Sequence, residues 1–343
     1  MAHPLYVDPV DGSSLIAEGS ELRSVTGKVY RDFGGGWDLR PGADAEKAFQ
    51  ADIYDQMLGE LTTFEHPHNL TLVHQKSLLD RLELKAGDRV LEIGGHRSGT
   101  LPYLEKRHGI IGSGLDISPV WVKAHNALAK ARVATAGGGT TGSGAAPVAT
   151  EWVLGDAEHL PFAEGAFAAV VAFDVFEHLT NLDDALRGVF RVLRPGGMLV
   201  CHMPVRDIGG SFDGFQRRRN AADFAARQAS VGHFHERMPT RREMRVRLEG
   251  AGLDVLDTLS FNVWFQPLHD HRLMAKLGKM RHRGKGTQER APGARLPRQT
   301  ASNFQKFYSA VGIPIARMLT AADAIGVALE IGGSCSFVAR RRG

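Results

Sequence analysis

Four acids and a few histidines carry most of the chemistry that can be read from the chain. The apolar run Arg89-Val90-Leu91-Glu92-Ile93 breaks into Gly94-Gly95-His96-Arg97-Ser98-Gly99, and a second run, Gly109 to Leu115, ends in Asp116. Each reads as a buried parallel strand whose carboxyl end delivers an acid, the place where α/β sheets put carboxylates on ribose hydroxyls. Glu92 and Asp116 are therefore paired candidates for one ligand. A helix predicted to start near Thr100 would turn its first backbone N–H groups to the same space. A third strand, Thr150 to Leu154, leads to Asp156-Ala157, and a fourth, residues 168 to 173, is wholly apolar up to Asp174. A carboxylate there is costly to desolvate unless it meets a partner.

Val175-Phe176-Glu177-His178 follow directly, and Gly232-His233-Phe234-His235-Glu236-Arg237 closes a long connection after the fifth strand, Met198 to His202. Imidazoles at such a place can take a proton near neutral pH, so His178, His233 and His235 join Asp174 as acid–base candidates. Solvated or packed histidines are the plainer alternative. The elements that must position these groups are legible by periodicity. Helices run through residues 43 to 86, with Phe49, Ile53, Tyr54 and Leu58 on one face and Leu72, Leu78, Leu79 and Leu82 on another. A helix from about Thr240 to Gly250 precedes a sixth strand, Leu253 to Leu259, and Ser334 to Ala339 forms the last.

Taken in order, Glu92-Ile93-Gly94, Asp116, Val153 to Phe162, Phe167 to His178 and Val192 to Val200 resemble the class I S-adenosylmethionine (SAM)-dependent methyltransferases. Within these the likeness is to the small-molecule and quinone-type enzymes, methyltransferase type 11-like, over roughly residues 87 to 260 plus the final strand. The resemblance implies an α/β fold: a Rossmann-like, seven-stranded, mostly parallel sheet with helices on both faces, a small N-terminal β module and a helical insertion before the last strand. It implies SAM as cofactor, S-adenosylhomocysteine as product, and a cofactor site of Glu92, Gly94, Gly95, His96, Asp116, Ile117, Asp156, Ala157 and Asp174. His96 and Ser98 stand at two positions that are usually glycine, with Gly95 and Gly99 left to supply the tight turn. The Asp174 to His178 run admits a divalent-metal or general-base cluster of Asp174, Glu177 and His178. Glu177 and His178 capping the next turn is the alternative, and no metal ligand is assigned.

Around this core, residues 1 to 42 hold short strands between turn signals and resemble a zinc ribbon. Asp8, Asp11, Ser24 and Thr26 lie where its cysteines would be, a poor donor set for zinc, so the ribbon reading is one without metal. Residues 43 to 86 form a connector expected to cover the cofactor, leaving Tyr54, His66, His68 and His74 unassigned on the substrate side. Residues 134 to 147 are a low-complexity loop. Residues 261 to 330 collect Phe261, Trp264, Phe265, Phe304, Phe307 and Tyr308 ahead of an amphipathic helix carrying Ile313, Ile315, Met318, Leu319, Ala322 and Ile325, which reads as a lid or as a homodimer surface. Residues 331 to 343 are the last strand and a basic tail.

Composition bounds the function class. The 343 residues are 43% hydrophobic and 23% charged, with no run long enough for a membrane span. Cys201 and Cys335 fall in buried strands, as reduced thiols do, and no secretory signal is visible, so a cytoplasmic location is expected. Lys and Arg number 42 against 38 Asp and Glu, too mild an excess to imply nucleic acid. Between Arg272 and Arg298, nine basic residues face the single acid Glu289. That span keeps an RNA methyltransferase as the second reading, behind a small-molecule methyltransferase and ahead of a SAM-fold protein that transfers no methyl group.

Overall fold

The computed structural model describes residues 2–42, 44–56, 64–67, 69–95, 99–136, 150–230, 232–233, 235–270, 303–319 and 321–343. His68, His96, most of the low-complexity loop and the basic span 272–298 lie outside the described residues.

A seven-stranded sheet forms the centre, in the order β10-β11-β9-β8-β5-β6-β7. Its strands are β5 (Arg89–Ile93), β6 (Ile111–Asp116), β7 (Glu151–Leu154), β8 (Phe167–Phe173), β9 (Leu193–Pro204), β10 (Leu253–Phe261) and β11 (Ser334–Arg341). Strands β9, β8, β5, β6 and β7 pair in parallel, and β11 runs antiparallel to both of its neighbours. Residues 167 to 172 of β8 are all buried, which explains an apolar run without alternation: a central parallel strand is covered on both faces. The register sets Glu92 opposite Gly114 and Asp116 opposite Leu154, so the acids emerge at one edge of the sheet.

Helices α3 (Thr100–His108), α4 (Pro119–Ala136), α5 (Leu182–Val192) and α8 (Arg241–Gly250) connect these strands. In α5 the buried residues Leu182, Ala185, Leu186, Val189 and Val192 recur at three- and four-residue spacing, and the Asn181 side chain caps the first turn by accepting from the Asp184 N–H. Helix α3 ends where Gly109 takes φ 68°, a left-handed geometry that suits glycine. The connection after β9, read from sequence as a long loop, carries two helices, α6 (Phe212–Arg219) and α7 (Ala221–Ala229).

The N-terminal module is a four-stranded antiparallel sheet, β1 (Ala2–Val7), β2 (Ser14–Glu18), β3 (Glu21–Arg23) and β4 (Val29–Arg31). Asp8, Asp11 and Ser24 bond within their own turns: Asp8 accepts from the Val10 N–H, Asp11 from the Ser13 N–H, and the Ser24 and Thr26 hydroxyls meet at 2.8 Å. The module shares the main core. Leu5, Tyr6, Leu15, Leu22, Tyr30 and Leu39 belong to one apolar cluster with Leu91, Val153, Phe162 and Phe167. It also closes the sheet's β7 edge, where Leu154 N–H donates to Trp37 O and Leu39 N–H to Leu154 O, satisfying groups that would otherwise invite strand pairing.

The connector forms α1 (Ala45–Gln56) and α2 (Leu70–Leu79). Leu72, Leu78, Leu79 and Leu82 are buried as expected, but Phe49 is 55% exposed. The inner face of α1 belongs instead to Lys47, Gln50 and Tyr54, spaced to line a cavity. The expected single amphipathic helix of the insertion is also corrected. Its residues divide between Ile313–Leu319, which continues without a break from Asn303–Phe307 through a π-helical turn at Tyr308–Gly312, and a separate short helix, Asp323–Ala328. Pro314, which lacks an N–H, directly follows the π-helical turn, where the regular hydrogen-bond ladder is already interrupted. Ile313 and Ala316 pack on Leu70, while Ile315, Met318 and Ile325 are exposed. No helix among the described residues is long and apolar enough to cross a membrane.

Candidate active site: a cavity between strand ends and connector helices

The carboxyl ends of β5, β6, β7 and β8 open into a cavity of about 360 Å³, roofed by Lys47, Gln50 and Tyr54 of α1 and by Phe64, Leu72 and Gln75. Its floor holds Glu92, Gly94, Gly95, Asp116, Ile117, Asp156, Ala157 and Asp174, every described member of the cofactor set read from sequence. His178 and His233 complete the wall, whereas His235 is not part of it. The His235 ring faces away, taking a 2.5 Å contact from Arg217 Nη1 and standing edge-on to Phe224. The described residues of the insertion contribute nothing to the lining, so the cover over this cavity is the connector.

The glycine turn has a steric cause. Gly94 adopts φ 73°. A Cβ on Gly95 or on Gly114 would collide with the Trp152 indole, which lies beneath the turn stacked on His125 at 4.2 Å. Bare backbone there leaves the strand ends open to a ligand.

The acids on the floor differ in their surroundings. Glu92 and Asp116 are 3% and 5% exposed, and Asp116 accepts from the Ser118 N–H at 2.8 Å. Asp156 binds the Lys47 ammonium, the Glu158 N–H and the His159 ring, and Lys47 also reaches Glu158 at 3.1 Å. Burial pushes the Asp156 carboxyl up, but Lys47 and these hydrogen bonds outweigh it and hold the group below its ordinary value. Asp174 sits at φ 55°, a left-handed geometry rare for a non-glycine residue, with its side chain half exposed toward the cavity. Gln75 donates to its Oδ2 at 3.3 Å, and His202 Nε2 stands 3.8 Å from Oδ1.

Glu177 lies in the single turn Phe176–His178 and is completely buried. It caps nothing: Asn181 caps α5, and Glu158 accepts from the Thr180 and Asn181 N–H groups. Burial, reinforced by the charge of Asp174, drives the Glu177 carboxyl well above its ordinary value. His178 Nδ1 meets the Gly232 carbonyl at 3.2 Å and His233 Nδ1 meets Gln228 Oε1 at 2.9 Å. A carbonyl only accepts, so both Nδ1 atoms carry the proton, and His178 Nε2 accepts from the Tyr54 hydroxyl at 2.6 Å. Burial lowers His178 to about 4, and burial together with His178 lowers His233 to about 3, so both are neutral at physiological pH. Lys47, Gln50, Gln75 and Glu158 were not anticipated. Only the placement of α1 and α2 over the sheet reveals them.

Sheet order, glycine turn and strand-end acids together give a Rossmann-like α/β fold of the kind methyltransferases of known structure have. Comparison with known proteins agrees. Residues 91–201 match a family model described as a methyltransferase domain. Methyltransferase GfsG of Streptomyces halstedii is 30% identical over 125 residues, 36% of this chain and 41% of that protein. Norajmaline N-methyltransferase of Rauvolfia serpentina is 28% identical over 116 residues, 34% of this chain and 36% of that one. The matches thus span about two-fifths or less of the length of these curated relatives. Among solved structures, phosphoethanolamine N-methyltransferase 2 of Haemonchus contortus in complex with S-adenosyl-L-methionine superposes with a TM-score of 0.54 at 15% identity, covering 88% of this chain and 61% of that one.

Proposed function

We propose that this protein is a SAM-dependent methyltransferase acting on a small-molecule hydroxyl. The observation that carries the reading is the convergence of Glu92, Asp116 and Asp156, from the ends of three adjacent parallel strands, on one cavity with a glycine turn beside them. Acids in that array accept from ribose hydroxyls and amino groups and favour a nearby cation. The residues present therefore fit the cofactor: Glu92 and Asp116 would hold its sugar, Asp156 and Ala157 its base, and Gly94, Gly95 and Ile117 would give it backbone access. When bound, SAM supplies a methyl group on a positively charged sulfur.

The chain's own part is positioning, water exclusion and proton removal. Tyr54, Phe64 and Leu72 close the cavity from above, and alignment of well-held reactants is worth effective molarities of order 10⁵ M or more. Asp174, held in its strained geometry and half exposed, accepts the proton of the acceptor hydroxyl. The methyl group that bound SAM would supply would pass to that oxygen, its sulfur keeping the electron pair of the broken S–CH₃ bond as a neutral thioether. His178 and His233 stand neutral on the same wall as hydrogen-bond acceptors. A proton acceptor of this kind contributes roughly 10²- to 10⁴-fold.

Calorimetry with SAM and with S-adenosylhomocysteine tests the reading directly. One binding site for both, weakened in Asp116→Ala, is expected; no heat with either sinks it. Methyl transfer to a panel of hydroxylated, aminated and RNA acceptors then separates this acceptor class from its rivals.

A further inference from the structure

The Glu177 carboxylate is completely enclosed, and neither of its oxygens makes a hydrogen bond among the described residues. A buried acid in that state is among the costliest placements a side chain can have. What faces it is a pair of imidazole nitrogens, His178 Nε2 at 3.8 Å and His233 Nε2 at 3.6 Å from Oε1. The donor atoms of all three residues lie within 4.8 Å of one another.

Both rings are set in advance. The Nδ1–H of His178 donates to the Gly232 carbonyl and that of His233 to Gln228 Oε1, which leaves the lone pair of each ring on the Nε2 that stands near the acid. Fixing the far nitrogen with an acceptor is how proteins orient a metal-bound histidine. Bonds of about 2.1 Å to a common ion set its ligand atoms roughly 3 to 3.5 Å apart, so a small inward shift of these side chains suffices. We propose that Glu177, His178 and His233 form a site for one divalent first-row transition-metal ion at the acceptor end of the cavity.

Two imidazoles and one carboxylate suit manganese, iron, cobalt or zinc better than magnesium or calcium, which take oxygen donors. The Tyr54 hydroxyl now donates into the His178 lone pair and would yield it to the ion. The ion's existence is independent of the methyltransferase reading; its role rests on it. His178 and His233 line the cavity, so open coordination positions would face the acceptor. That favours acceptors offering oxygen donors, such as a vicinal diol or a hydroxy-carbonyl group, whose hydroxyl ionises more readily on a metal while its proton still passes to Asp174.

The test is equilibrium dialysis of the full chain, stripped by chelator, against Mn²⁺, Co²⁺, Zn²⁺ and Mg²⁺ separately, with bound metal quantified and the Co²⁺ visible spectrum recorded. One equivalent of a transition ion is expected, with Mg²⁺ far weaker. Glu177→Gln and His233→Asn should each lose that equivalent, and Gln228→Leu should weaken it by roughly 10- to 100-fold. Circular dichroism and melting curves establish that each variant folds. A stripped chain that takes up no ion overturns the proposal, and so does an equivalent that survives in a folded Glu177→Gln or His233→Asn variant. No cofactor enters the dialysis, so failure here is distinct from failure of SAM calorimetry.

Discussion

The two ends of the cavity are built on opposite terms. At the donor end two of the acids are already answered: Asp116 by the Ser118 N–H, Asp156 by Lys47, His159 and the Glu158 N–H. At the acceptor end Asp174 is held at φ 55°, Glu177 has no hydrogen bond among the described residues, and two histidines are buried neutral. Asp116 and Asp156 are settled before any ligand arrives. The acceptor end keeps strain and unmet bonding capacity, which a well-packed domain retains where a partner is to be received.

The contrast can be broken experimentally, and the largest effect belongs to the donor end. Asp116→Ala removes charge-assisted hydrogen bonds worth about 1.5 to 3 kcal/mol, so SAM affinity should fall roughly 10- to 100-fold in calorimetry. His233→Asn should leave that affinity nearly unchanged while methyl transfer is lost. Equal losses of affinity in both variants would erase the distinction between the two ends.

Next comes the turn itself. Gly95→Ala drives a methyl group into the Trp152 ring, an overpacking that typically costs about 1 to 3 kcal/mol, and the melting temperature should drop by several degrees. An unchanged melt would show that the indole is free to move.

Acid should separate the two ends by pH. The histidines His74, His178, His202 and His233 are lowered by burial from 6.5 to between about 3 and about 4. Below pH 6.5 the unfolded chain binds more protons than the folded one, so their contribution is full above pH 6.5 and is lost as pH falls toward 4 and 3. Glu177, raised instead, contributes in the opposite sense, fully below its ordinary 4.5 and less as pH rises. Glu105, which burial pushes up to about 7, acts in the same sense as Glu177; with four groups against these two, melting temperature should still fall between pH 6.5 and 4, less steeply in His202→Asn. The donor end, through Asp156, should hold until pH drops below its ordinary 3.8. The smallest effect is expected of Lys47→Met, which leaves Asp156 its other partners; a loss of about 1 kcal/mol in SAM binding or less would fit.

The donor end was legible because its information is local. Glu92, Asp116 and Asp156 each close an apolar run, and a buried parallel strand has only one end at which an acid can reach solvent or ligand. The acceptor end was half legible. Asp174 announced itself as the first polar residue after six apolar ones, but Glu177 read equally well as a capping residue, and His235 looked like the twin of His233. Two residues of chain turn those imidazoles in different directions, one to Gln228 and the cavity, the other to Arg217. Nothing in α1 marked Lys47 as the partner of Asp156, 109 positions away. The exposed Phe49 misled for the same reason, since an amphipathic pattern names a face without saying what will cover it.

The succession of strands along the chain, the glycine break and the acids near strand ends follow from the amino-acid sequence alone, because hydrophobic periodicity and backbone sterics act over a few neighbouring residues. The pairing of Glu177 with two histidines, the roof of α1 and α2, and the merging of the N-terminal module into the main core were decided only in three dimensions. Their partners are far apart in the chain, and whether a buried charge is met by another group depends on packing that no local pattern encodes.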